Sequence, residues 1–243
     1  PTQCSSNILP PWTSGSIGAI SNSSYQRMYN NNLIPSSHLP LQSNIKLYFS
    51  SSSSRQQGGR IPRMSECRTL EEALNATYDN LDRLSPRDVS AFWAVVPKLL
   101  RGGRYNHDQM KHMFHQFDVI STKSIKEIER YDPRDMSTLA ISLAKTIDKV
   151  ERSRNRKGTP QQILHEILIG NNSEIKQFIF NRLADASVPI LYEFDARHLS
   201  NHIYAFGLAK VIIPVEDGST YFDMLAEVAI PNLNRFEPQG LSN

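Results

Sequence analysis

Tyr131-Asp-Pro-Arg-Asp-Met-Ser137 decides the fold, because the chain states it more than once. Leu84-Ser-Pro-Arg-Asp-Val-Ser90 precedes it, and Phe194-Asp-Ala-Arg-His-Leu-Ser200 and Phe236-Glu-Pro-Gln-Gly-Leu-Ser242 follow. Each copy opens with a large apolar residue, then a residue able to cap (Ser85, Asp132, Asp195, and Glu237 as the weakest), then proline in three copies and Ala196 in the other. That order starts a helix. The cap oxygen accepts from amides of the first turn that have no partner, and proline at the first helical position gives up an N–H that would have been orphaned anyway. Asp88 and Asp135 stand three residues past their caps, where a carboxylate can complete a capping box and face the positive helix end. His198 occupies that place in the third copy, which predicts a weaker cap.

Working outward, apolar residues return at helical spacing behind each cap: Val89, Phe92, Val96 and Leu99; Met136, Leu139, Leu143 and Ile147; Leu199, Ile203 and Phe206. These are amphipathic helices that require a neighbour. Ala140, Ala144, Ala205, Gly207 and Ala209 permit close approach. Pro97 predicts a kink or stop near Val96. A second amphipathic segment lies upstream of each phrase, at Leu70–Leu81, Ile125–Arg130, Ile175–Ala184 and Tyr221–Leu233, with Pro231 shortening the last. The repeating unit is therefore a helix pair. Spacings of 47, 63 and 42 residues between Pro86, Pro133, Ala196 and Pro238 leave room for an extra helix at Pro160–Ile169 in the longest gap. The fold expected is all-α: a solenoid of stacked helix pairs, about three divergent repeats and the start of a fourth, with the chain stopping inside a repeat.

Residues 1–65 are a different material. They hold Arg27, Lys46, Arg55, Arg60 and Arg63, many Ser and Asn, and no Asp or Glu. Such a segment cannot bury enough apolar surface to fold, and the composition is that of an organelle transit peptide, with Lys46-Leu-Tyr-Phe-Ser50 placed like a presequence cleavage region. The address expected is mitochondrial, with a plastid as the alternative; an untargeted low-complexity tail is the plainer reading. The remaining residues, 66–243, form the helical-repeat domain. The chain's 27 basic and 24 acidic residues become 22 and 24 there, a net of −2. Any nucleic-acid contact must then come from a local patch. Two cysteines, Cys4 and Cys67, make no disulfide framework, and no apolar run approaches the ~20 residues that span a bilayer.

The stretch Phe194–Ala209, followed by Tyr221–Ile230 and the restart at Phe236, resembles the helical repeats of organellar RNA-binding proteins: the FAST-kinase-like, octotricopeptide and RAP-domain-associated group, as in the repeat subunits of RNA-editing substrate-binding complexes. The resemblance is closest over Ile190–Asn243 and looser over Leu84–Ile147. It implies an α-solenoid that binds organellar transcripts and acts in their stability, processing or translation without catalysis. No RAP domain is visible in this sequence.

Two basic runs are the candidate RNA-binding residues: Lys98, Arg101 and Arg104, and Lys149, Arg152, Arg154, Arg156 and Lys157. Both follow a phrase-bearing helix, which would set them on one edge. Each is equally a solvated loop whose cations favour a helix C-terminus. Arg134 and Arg197 recur with Arg87 at one place in the phrase, either lining a groove or forming ordinary first-turn surface. His107, His112 and His115 cluster, and His198 and His202 are one turn apart, but neither set brings the third and fourth ligands that zinc needs, so no metal or cofactor is expected. No phosphate-cradling glycine motif, nucleophile elbow or kinase signature occurs in the sequence, so no enzyme is expected. Phe92, Trp93 and Tyr204 fall on the apolar stripe and read as core. The partners expected are RNA and other ribonucleoprotein subunits, and neither a membrane nor a small-molecule substrate. The alternative function is a protein–protein scaffold within an organellar ribonucleoprotein complex.

Overall fold

The computed structural model describes residues 62–100, 104–153, 158–215 and 218–242. The first 61 residues, with most of the expected leader, lie outside it. All four phrases adopt one conformation. A 3₁₀ turn comes first, at Leu81–Arg83, Ile128–Arg130, Val188–Glu193 and Ile230–Arg235. The apolar residue after it closes that turn through its backbone N–H: Leu84 to Leu81 O (3.4 Å), Tyr131 to Ile128 O (3.2 Å), Phe194 to Leu191 O (3.1 Å) and Phe236 to Leu233 O (3.2 Å). Leu84, Tyr131, Phe194 and Phe236 are extended, with ψ between 126 and 135°. The caps then turn the chain into a helix. Ser85 Oγ accepts from Asp88 N while Asp88 answers to Ser85 N (2.9 Å), a full capping box. Asp132 Oδ1 and Asp195 Oδ1 accept from the amides of Asp135 and His198, each at 2.7 Å. In the third copy the His198 ring also lies against the capping carboxylate, Nδ1 to Oδ1 3.1 Å, in place of the reciprocal half of a box.

Nine α-helices lie among the described residues: α1 Leu70–Tyr78, α2 Pro86–Leu99, α3 His107–Lys126, α4 Pro133–Arg152, α5 Pro160–Leu168, α6 Glu174–Ser187, α7 Ala196–Ala209, α8 Tyr221–Ala229 and α9 Pro238–Ser242. The phrase-bearing helices are neighbours in order: α2 packs on α4, α4 on α7, and α7 on α9. They also run in one direction. At their N-terminal ends Ser90 Oγ donates to Asp135 O (3.1 Å), and the equivalent Ser200 Oγ donates to the equivalent Gly240 O (3.1 Å). Near their C-terminal ends Lys149 Nζ donates to Pro97 O (2.7 Å). Behind this parallel row, α1 packs on α3, α3 on α5 and α5 on α6. Between the two layers runs one apolar core, from Met64 and Leu74 through Phe92, Phe117, Leu139 and Phe180 to Phe206 and Leu225.

Two sequence expectations need correction. Helix α2 does not stop near Val96. Pro97 sits inside its last turn, where the missing N–H costs a single bond, and Leu100 N still reaches Val96 O at 2.9 Å. The segment expected at Ile125–Arg130 is no helix of its own: Ile125 and Lys126 end α3, a 20-residue helix, and Ile128–Arg130 form the 3₁₀ turn after it. Its buried face of Met113, Gln116, Phe117, Ile120, Ser121, Ser124 and Ile125 has helical spacing but is nearly half polar, so no apolar stripe announces it. Two of those polar groups have partners: Gln116 Nε2 donates to Asn75 Oδ1 (2.8 Å), and Ser124 Oγ accepts from Trp93 Nε1 (2.8 Å) and donates to Ile120 O (2.7 Å). The extra helix in the longest gap is α5, and α8 ends at Ala229 ahead of Pro231.

Candidate nucleic-acid interface

The six candidate residues among the described ones fall at opposite ends of the phrase-bearing row. Arg134 and Arg197, with Arg87, occupy the second helical position of α4, α7 and α2 and are exposed along the N-terminal edge. Lys98, Arg104, Lys149 and Arg152 belong to the C-terminal edge. Helix α4 alone separates the edges by ~30 Å at 1.5 Å per residue, so these six do not form one site. Arg101, Arg154, Arg156 and Lys157 lie outside the described residues.

At the C-terminal edge, the residues flanking the two basic runs are brought to one corner. Lys149 reaches back to Pro97 O, tying the last turns of α2 and α4 and giving a terminal carbonyl a partner. Beyond the runs, Tyr105 N donates to Gly158 O (3.1 Å). Gly158 takes φ +72°, a left-handed conformation that glycine adopts without strain, and its N–H donates to Gln162 Oε1 (3.1 Å), steering the chain into α5. Residues flanking two runs some fifty residues apart thus meet at one place, Lys149 with Pro97 and Tyr105 with Gly158. Lys98 and Arg104 are exposed there. Arg152 is exposed but pairs with Asp148 (2.9 Å) one turn back. One cation that the sequence reading missed extends this edge. Lys210 ends α7 in the left-handed region, φ +55°, and lines a cleft of about 350 Å³ with Arg152, Asp148, Glu151, Gly207 and Leu208. No run of basic residues marks it.

The N-terminal edge is electrostatically mixed. Burial pushes the Asp135 carboxyl above the usual carboxylate range, Asp132 adds to the effect, and Arg87 and Arg134 oppose it. Between α7 and α9 the edge opens into a cleft of about 560 Å³ whose lining includes Arg197, Asn201, Asn232, Arg235, Gln239 and Glu237.

The histidines do not converge. His107 and His112 are exposed, and His115 Nε2 lies 2.9 Å from the Tyr78 hydroxyl. His202 is wholly buried among Phe194, Phe206 and Tyr221 with neither ring nitrogen partnered. Among the described residues no group of three His, Cys, Asp or Glu side chains is arranged to hold a metal ion. Phe92 and Trp93 are buried and Tyr204 half-buried, which places the first two in the core. No described helix is long and apolar enough to cross a membrane. No family model, curated protein or solved structure matches the chain.

Proposed function

We propose that the chain is an organellar, non-catalytic RNA-binding protein whose helix pairs stack as a solenoid and whose basic corner holds a single-stranded phosphate backbone. The observation that carries this reading is the joined corner, where Lys149 on Pro97 O and Tyr105 on Gly158 O bring the flanks of both basic runs together. Sequence then supplies Arg101, Arg154, Arg156 and Lys157 between flanks that already present Lys98 and Arg104. Cations gathered at one corner can neutralise consecutive phosphates, whereas a net charge of −2 spread over the domain cannot. Stacking is supported by the parallel order of α2, α4, α7 and α9 and by the equivalent bonds from Ser90 and Ser200. The acid-free leader supports a mitochondrial, or alternatively plastid, address, which imaging of a fusion carrying residues 1–65 tests directly.

The binding test is fluorescence anisotropy of single-stranded RNA over a salt series. Contacts with about four phosphates give a log–log slope near −3. Replacing Arg154, Arg156 and Lys157 by Ala flattens the slope and leaves the melting temperature in place. A slope near zero for the unmodified chain refutes the reading. A second reading, a protein–protein scaffold, is favoured by the number of edge cations already spent internally: Lys149 on Pro97 O, Arg152 on Asp148 and Lys176 on Glu151 (2.9 Å).

A further inference from the structure

On α4 the residues Arg134, Thr138, Ile141, Lys145, Asp148 and Arg152 are all left unburied and recur every three or four positions, so they form one stripe facing away from the core. The same places, counted from the helix start, are unburied on both neighbours. One residue after the proline position stand Arg87, Arg134 and Arg197, all exposed. Five after it stand Ala91, Thr138 and Asn201, and eight after it Ala94, Ile141 and Tyr204, all half-buried. Twelve after it come Lys98 and Lys145, both exposed, and Leu208, with the exposed Lys210 two residues on. Because α2, α4 and α7 are parallel neighbours, these places line up as strips across the row. The cleft that Leu208 and Lys210 line together with Asp148 and Arg152 shows α4 and α7 presenting this face to the same side. The outcome is a floor of mostly small and apolar side chains between two cationic margins. Eleven residues of helix, ~16 Å, separate Arg134 from Lys145, and no carboxylate stands in either middle strip. Lys98 and Lys145 enter no ion pair among the described residues.

We propose that this face docks an amphipathic helix of a partner protein, laid across α2, α4 and α7, with its apolar stripe on the floor and Asp or Glu along both flanks. Charge complementarity names the occupant. A helix about 10–12 Å across with its side chains fits between margins ~16 Å apart, and its acidic flanks reach a cation on either side. Crossing three helices packed about 8–10 Å apart takes ~16–20 Å, or roughly 11–13 residues of partner helix. A single nucleic-acid strand has one line of phosphates and leaves one margin unused, and of the six floor residues only Tyr204 offers a ring for a base to stack on. The face shares only Lys98 with the flanks of the two basic runs, so the inference stands whether or not the chain binds RNA.

The probe is a fluorescein-labelled peptide of about 14 residues, built from Leu, Ala and Glu with Leu at every third or fourth position and Glu on both sides of that stripe. Its control carries Lys in place of every Glu. Titrated with the full chain, the Glu peptide binds saturably with Kd below about 100 μM and weakens as salt rises, while the Lys peptide does not bind. Lys145→Glu on one margin and Arg197→Glu on the other each weaken the Glu peptide about tenfold, since an attraction is lost and a repulsion gained. The melting temperature, read by circular dichroism, holds in both because the two side chains are exposed. Absence of saturable binding up to about 1 mM, equal binding of the Lys peptide, or binding that both variants leave intact overturns the inference. So does displacement of the Glu peptide by single-stranded RNA from the Arg154→Ala, Arg156→Ala, Lys157→Ala triple variant, because with the basic corner disabled the face itself is then holding nucleic acid.

Discussion

Acid should open this protein at one side chain, His202. It sits on α7, the helix shared by α4, α8 and α9, and is wholly buried. Phe194, Phe206 and Tyr221 surround its ring, at centroid distances of 5.4, 5.1 and 5.9 Å. The Tyr221 hydroxyl is engaged with Ser187, and His198, one turn away, lies against Asp195. Neither nitrogen of His202 has a partner, and burial alone drives its pKa down to about 3 from 6.5. The folded state therefore holds the neutral ring and the unfolded state takes up the proton. This contribution to stability is complete above pH 6.5 and is lost progressively as pH falls toward 3. Within that window the slope is about 1.4 kcal/mol per pH unit, which amounts to roughly 2 kcal/mol by pH 5. Against a domain stability of about 5–15 kcal/mol that loss is large. Three carboxyls, Asp118, Asp135 and Asp185, are raised by burial and contribute with the opposite sign, gaining stability on acidification. They cancel in the difference between wild type and a His202→Phe variant, or His202→Leu if the larger ring strains the cage. Urea unfolding at pH 7.5, 6 and 5, followed by Trp93 fluorescence, gives that difference. The variant should gain about 2 kcal/mol on wild type between the first and last pH. Parallel loss in both proteins refutes a neutral, dry histidine at this place.

Three further outcomes follow from the same geometry. Asp132→Ala removes the cap of the longest phrase-bearing helix and should cost about 1 kcal/mol in chemical denaturation, with α4 fraying first in hydrogen exchange. Lys210→Gly relieves a left-handed residue at the end of α7 and should raise stability by up to about 1 kcal/mol, read as a higher melting temperature. Lys149→Met breaks the bond to Pro97 O and should lower the melting temperature by an amount equivalent to about 1 kcal/mol, while changing the RNA salt slope less than the Arg154/Arg156/Lys157 triple variant does.

The boundary between what was readable and what was not follows range along the chain. Helix starts were readable because a cap acts within three residues: Ser85 with Asp88, Asp132 with Asp135 and Asp195 with His198 are complete in one stretch of chain. Helix α5 was readable for the same reason, from a proline and an apolar period. Helix α3 was not, because its buried face is held by Gln116 and Ser124, whose partners Asn75 and Trp93 lie 41 and 31 residues away. The run of helix α2 through Pro97 likewise depended on α4, which supplies the lysine that satisfies its last turn. For the candidate interface, the basic residues were visible and their grouping was not. Composition cannot tell that Arg134 sits at the opposite end of a 20-residue helix from Lys149, with Arg197 on the neighbouring helix at the Arg134 edge, nor that Tyr105 and Gly158 join. Local free energy, stored in capping bonds and apolar period, is written residue by residue and determined that this chain makes helices and where most of them begin. Which helices lie side by side, and which charges share an edge, is set by burying side chains distant in sequence against one another, and only the tertiary structure decides that.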